Sequence, residues 1–130
     1  MDHTPHAAST PFTVHTVELS ADRVLVVATG ELDISTAAQL SEHLMQVVAG
    51  GCLHLDVDLT RVPFCDVVGF DLLLDAARSL RARQGTLRII SPCWSLQYMA
   101  GTFGVNDLLG LPAVTGAQSR RSAIRSGMPR

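Results

Sequence analysis

Two groups of residues have side chains of the types that carry chemistry. His54, Asp56 and Asp58 alternate along Leu53–Leu59, an imidazole and two carboxylates of the kind that ligate metals or move protons. Same-face neighbours on a strand stand ~6.5–7 Å apart, so all three cannot reach one ion at ~2.1 Å. A solvated sheet face explains them, and no metal is expected. Cys65, beside Asp66, falls at a strand-to-helix junction, where a helix N-terminus lowers a thiol's pKa. The neighbouring carboxylate opposes the thiolate, no His lies close in sequence, and no glycine-flanked nucleophile elbow surrounds it. A Cys65-dependent enzyme therefore ranks behind a packed structural cysteine. The chain also lacks GxxxxGK[ST], GxGxxG and HExxH. No catalytic residue and no cofactor is expected.

The elements that would position these residues follow from periodicity and breakers. Phe12–Leu19 and Arg23–Thr29 are β-rich and joined by Ser20-Ala21-Asp22, the pattern of an antiparallel hairpin. Gly30-Glu31-Leu32-Asp33 breaks the second strand. A helix then begins near Ser35-Thr36, with Thr36 and Gln39 spaced as a capping box and Ala37, Leu40, Leu44, Val47 and Val48 as its apolar stripe. Leu53–Leu59 alternates apolar and polar residues. A central strand covered on both faces reads as continuously apolar, so one face of the sheet is expected to lie open. A second helix, Val67–Gln84, carries Val68, Leu72, Leu73, Ala76, Ala77 and Leu80 as its core stripe, with Gly85 as its stop. Thr86–Ser91 reads as a strand. Ser95–Phe103 reads as a helix with Leu96, Met99, Ala100 and Phe103 inward, ended by Gly104, and Asp107–Leu111 as a short strand or turn.

Composition bounds the class. The 130 residues are 47% hydrophobic and 17% charged, with a mean hydropathy of +0.26, which suits one globular domain and excludes disorder over most of the length. The longest apolar run, Val24–Ala28, is far short of the ~20 residues that span a bilayer. The opening MDHTPHAAST shows no basic and apolar leader, and three widely spaced cysteines (Cys52, Cys65, Cys93) read as reduced thiols. A cytoplasmic location is expected. Residues 1–11 and 112–130 read as flexible ends around a domain at 12–111. Within 12–111, six Arg face eleven Asp and Glu, whereas four of the last eleven residues are Arg. Four charges supply little affinity for nucleic acid, so neither nucleic acid nor membrane is an expected partner.

The segment Asp58-Leu59-Thr60-Arg61-Val62-Pro63-Phe64-Cys65-Asp66-Val67-Val68-Gly69-Phe70 resembles the signature of STAS domains, the anti-sigma factor antagonists. There a strand ending Asp-Leu-Ser/Thr leads through an apolar residue and Phe to Asp-Ser-Ser/Thr-Gly-Leu. Gly30-Glu31-Leu32-Asp33 followed by Thr36 is similar to the family's other hallmark, and Phe103-Gly104-Val105 with Leu108-Leu109 to its C-terminal element. The resemblance implies an α/β fold, a mixed four- to five-stranded sheet in which an N-terminal antiparallel hairpin precedes parallel crossovers, with helices mainly on one face. It also implies a non-enzymatic module that binds an anti-sigma factor, itself a serine kinase of the GHKL ATPase type, and so frees a sigma factor. Glu31, Asp33, Arg61, Phe64, Asp66, Val67, Val68 and Gly69 are the residues it points to for partner contact. The family's phosphoacceptor follows the signature Asp. Here that position is Val67, which has no hydroxyl, so phospho-switching there is expected to be lost. A STAS subunit of another assembly, a stress-signalling scaffold or the partner of a transporter ATPase, is the alternative.

Overall fold

The structure, a computed structural model, describes residues 11–112; the expected flexible ends lie almost wholly outside them. Seven elements follow one another: β1 (Thr13–Glu18), β2 (Arg23–Thr29), α1 (Ile34–Ala49), β3 (His54–Arg61), α2 (Val67–Arg81), β4 (Thr86–Ile90) and α3 (Trp94–Phe103). They build one four-stranded sheet in the order β1-β2-β3-β4, with β1 antiparallel to β2 and the remaining pairs parallel. The Leu19 N–H donates to Arg23 O at 2.9 Å and closes the hairpin. Residues 106–110 form turns, so the alternative of a fifth strand there is set aside.

Strand order equal to chain order requires each parallel crossover to return its helix to the same side. Val24, Val26 and Ala28 of β2, Leu55, Val57 and Leu59 of β3, and Leu87 and Ile89 of β4 are buried on that face. Leu40 and Leu44 of α1 and Leu73, Ala77 and Leu80 of α2 join them in one core.

The opposite face departs from expectation at one position. By the pleat, Asp56 points away from Leu55 and Val57, yet it is only 5% exposed. The guanidinium of Arg88, its direct neighbour on β4, approaches its carboxylate at 3.3 Å, and that of Arg23 on β2 at 3.4 Å. The row expected to be solvated is therefore, at Asp56, a carboxylate shielded by two arginines. His54 is half-buried, its Nδ1 2.9 Å from Thr86 Oγ1 on the next strand.

The helices require four corrections. The N-cap of α1 is Asp33, and Thr36 is the third helical residue of that capping box instead of its first member. The buried stripe of α2 is Phe70, Leu73, Leu74, Ala77 and Leu80, rotated from the expected one, which leaves Val68 exposed and Leu72 and Ala76 at the margin. That helix ends at Arg81, and Gln84, not Gly85, takes the left-handed conformation after it. Gly85 is required for space: a Cβ there would stand 2.1 Å from Leu53 O. In α3, Leu96 and Ala100 are buried, but Phe103 is exposed, with one side of its ring against Phe70 at 5.8 Å between centroids.

Candidate functional site

The two segments singled out by the family resemblance, 30–33 and 61–66, are far apart in sequence and joined in the fold. Beyond the last regular pairs of β2 and β3, the Gly30 N–H donates to Arg61 O, the Leu32 N–H to Phe64 O, and the Asp66 N–H to Leu32 O, each at 3.0 Å. Leu32 and Cys65 form an isolated parallel bridge, and both are fully buried. The chain thus continues its sheet pairing past the strand ends and delivers the starts of α1 and α2 to one edge of the molecule.

Each start is capped by a carboxylate. Asp33 Oδ1 accepts from Ser35 N at 2.9 Å and from Ser35 Oγ at 2.6 Å. Thr36 Oγ1 accepts from the Asp33 N–H at 3.0 Å and donates to Glu31 O at 2.7 Å. These bonds, led by the Ser35 hydroxyl and then its N–H, hold the Asp33 carboxyl below the usual carboxylate range. Asp66 Oδ1 accepts from Gly69 N at 3.0 Å. Both acids are therefore committed to helix-start bonding.

Gly69 lies inside. A Cβ there would stand 2.6 Å from Leu32 Cγ and 3.1 Å from Cys65 Sγ. Its missing side chain makes room for the Leu32–Cys65 bridge beneath it. Cys65 is inaccessible, and burial, with lesser contributions from Cys93 and Asp66, pushes its thiol up to about 12. At neutral pH such a group is a thiol, which withholds the thiolate a nucleophile needs.

What the edge presents to solvent is largely apolar. Val67 and Val68, the first two residues of α2, are 59% and 37% exposed, and Phe64 before them is also exposed. Glu31 and Arg61 flank them, both exposed. Three further exposed apolar residues were missed by the sequence reading: Ile34 at the start of α1, and Trp94 and Tyr98 on α3. Trp94 and Tyr98 are four residues apart, the spacing that places side chains on one helix face, and that spacing is the signal that could have found them.

The sequence model described as "Mlab, STAS domain" matches residues 15–111. The anti-sigma-B factor antagonists of Listeria monocytogenes and Listeria innocua are each 27% identical over 106 residues, covering 82% of this chain and 93% of their own. Among solved structures, an anti-sigma factor antagonist from Mycobacterium paratuberculosis matches with a TM-score of 0.67 at 24% identity, over 85% of this chain and 96% of that one. The phosphorylated form of the Bacillus cell fate determinant SpoIIAA matches with a TM-score of 0.62 at 20% identity, over 83% and 98%. These two structures share the fold described above.

Proposed function

Since the chain belongs to the STAS domain family, as a member resembling anti-sigma factor antagonists, we propose that it binds an anti-sigma factor of the ATP-binding serine-kinase class and so releases a sigma factor. The docking surface is the edge formed by Glu31, Arg61, Phe64, Val67 and Val68, held in place by the Asp33 and Asp66 caps and by Gly69. The observation that carries this reading is the pair of exposed valines at the head of α2. The same helix has a complete core stripe without them, so the part of their apolar surface left exposed does nothing for the isolated fold. Burying it against a partner would contribute on the order of 1–2 kcal/mol per side chain.

A phosphoryl group brings about −1.5 to −2 charges and disrupts an apolar interface that receives it. Val67, which by the resemblance stands at the family's acceptor position, has no hydroxyl to accept one. The protein is accordingly binding-competent at all times, and control passes to its abundance or to the state of its partner.

Calorimetric titration against purified anti-sigma factors of this class tests the proposal. Val67→Asp places a charge where water is excluded and is expected to weaken the complex by about 2–4 kcal/mol, roughly 30- to 700-fold. Val67→Ser is expected to bind nearly as well as the parent. Incubation of the parent with its cognate kinase and ATP should leave the head of α2 unphosphorylated. Undiminished binding of Val67→Asp to every anti-sigma factor that binds the parent would show that this edge is not the contact surface.

A further inference from the structure

The aromatic face of α3 is the least explained surface among the described residues. Trp94 is 74% exposed and Tyr98 60%, and their rings stack on each other at 5.3 Å between centroids with an interplanar angle of 17°. Neither is needed for the core, which α3 enters through Leu96 and Ala100. The stack is nevertheless held at a defined place. The Ser95 hydroxyl donates to Cys65 O at 2.9 Å and accepts from the Cys65 N–H at 3.3 Å, so it clamps the first turn of α3 to the connection that leads into α2. The residues preceding the two members of this clamp, Phe64 and Trp94, are both exposed and aromatic. At its far end α3 is tied to α2 by the Phe70–Phe103 contact.

We propose that the Trp94–Tyr98 stack is the aromatic anchor of the docking surface described above, entering an apolar pocket of the anti-sigma factor that is rimmed by basic side chains. This rests on the docking reading of the α2 head and adds the residues that set its affinity. Size favours a place within a larger interface over a separate one. The two rings together expose on the order of 300 Å², against the ~800 Å² that each side of a specific interface buries. Charge selects the occupant. The segments 30–33 and 61–71, which carry the exposed residues of the α2 head, also carry Glu31, Asp33, Asp66 and Asp71 against Arg61 as their one cation. A second copy of this chain packed about a two-fold axis would set these carboxylates against each other, whereas a partner with a basic rim would be attracted. Buried, preorganised aromatics are the residues that most often dominate binding energy.

Trp94 is the chain's sole tryptophan, which allows a direct test. The full chain is labelled with 5-fluorotryptophan and its single fluorine resonance is followed while unlabelled, purified anti-sigma factors of the ATP-binding kinase class from the same genome are added. The resonance is expected to shift on binding. Trp94→Ala is expected to weaken the complex roughly 30-fold or more, and Trp94→Phe by less, both with a parent-like melting temperature because the side chain is exposed. A partner that binds the parent and is weakened by Val67→Asp, yet leaves the resonance in place and tolerates Trp94→Ala, would overturn the anchor while sparing the docking reading. A resonance that moves with the chain's own concentration would assign the stack to self-association and overturn it as well. Failure of every such anti-sigma factor to bind the parent would remove both readings together.

Discussion

Gly69→Ala is the sharpest test of how the two loop segments are locked together. In most helix positions this change stabilises, because Ala is favoured over Gly by about 1 kcal/mol. Here the added Cβ would stand 2.6 Å from Leu32 Cγ and 3.0 Å from Leu32 Cδ2, and Leu32 is fully buried. Overpacking costs about 1–3 kcal/mol, and a 2.6 Å approach to a fully buried side chain belongs in the upper half of that range, about 2–3 kcal/mol, so the helix gain is outweighed and a net loss of about 1–2 kcal/mol is expected. For a domain of this size that lowers the melting temperature by roughly 4–16 °C. Urea unfolding followed by circular dichroism measures the loss, and a double-mutant cycle identifies its source. In a Leu32→Ala background the two closest clashing atoms are gone and only the 3.1 Å approach to Cys65 Sγ remains, so Gly69→Ala should cost clearly less there. The Leu32→Ala change itself costs about 2–5 kcal/mol, so the cycle is best run at low temperature. A parent-like melting temperature for Gly69→Ala, or an equal loss in both backgrounds, would refute the packing account.

Two further predictions concern buried polar groups. Asp56→Asn leaves Arg23 and Arg88 facing each other without their carboxylate and is expected to cost about 1–2 kcal/mol. That is less than the 3–5 kcal/mol typical when one partner of a buried pair is removed, because both arginines are 42% or more exposed and water screens them; a loss below 0.3 kcal/mol in a urea titration would contradict it. Cys65 has its folded pKa raised above that of the unfolded chain, so its contribution to stability is complete below about pH 9 and is lost as pH rises towards about 12. Stability measured from pH 8 to 10.5 should therefore fall less steeply for Cys65→Ala than for the parent, and Cys65 in the native parent should resist iodoacetamide at pH 7.5. Rapid labelling of that thiol would reverse the conclusion.

The fold was legible where one residue type dominates one face. The alternation in β3 predicted that strand and its covered side, the β-rich run at 23–29 predicted β2, and Gly104 predicted the end of α3. The stripe of α2 was not, for a reason in the residues themselves: positions 67–70, 72–74 and 76–77 are almost all apolar, so several rotations of the helix bury a similar area. The fold selects among them by placing Phe70 against Phe103 and Gly69 over Leu32, contacts distant in sequence. Asp56 follows the same logic. Its outward direction was readable from the pleat, but Arg23 and Arg88 lie 33 and 32 residues away, and only the parallel register brings them to it. At the candidate site the family resemblance drew attention to both loops, while the clamp between Ser95 and Cys65, and with it the place of Trp94, depends on tertiary structure.

The disposition of polar groups at this edge decides what kind of binding it supports. Asp33, Asp66, Thr36 and Ser95 each make hydrogen bonds within the chain that hold the helix starts, and exchanging these bonds for intermolecular ones would gain little. The groups left free to profit from burial are side chains such as Phe64, Val67, Val68 and Trp94, whose gain scales with apolar area. The dissociation rate should then be set by these side chains and be nearly insensitive to salt, so that salt weakens the complex only through its rate of formation. The carboxylates around them act at longer range, where they raise the rate of encounter with a basic partner and are screened beyond about 10 Å at 0.1 M salt. A complex formed here should thus show an association rate that falls with ionic strength and a dissociation rate that hardly changes.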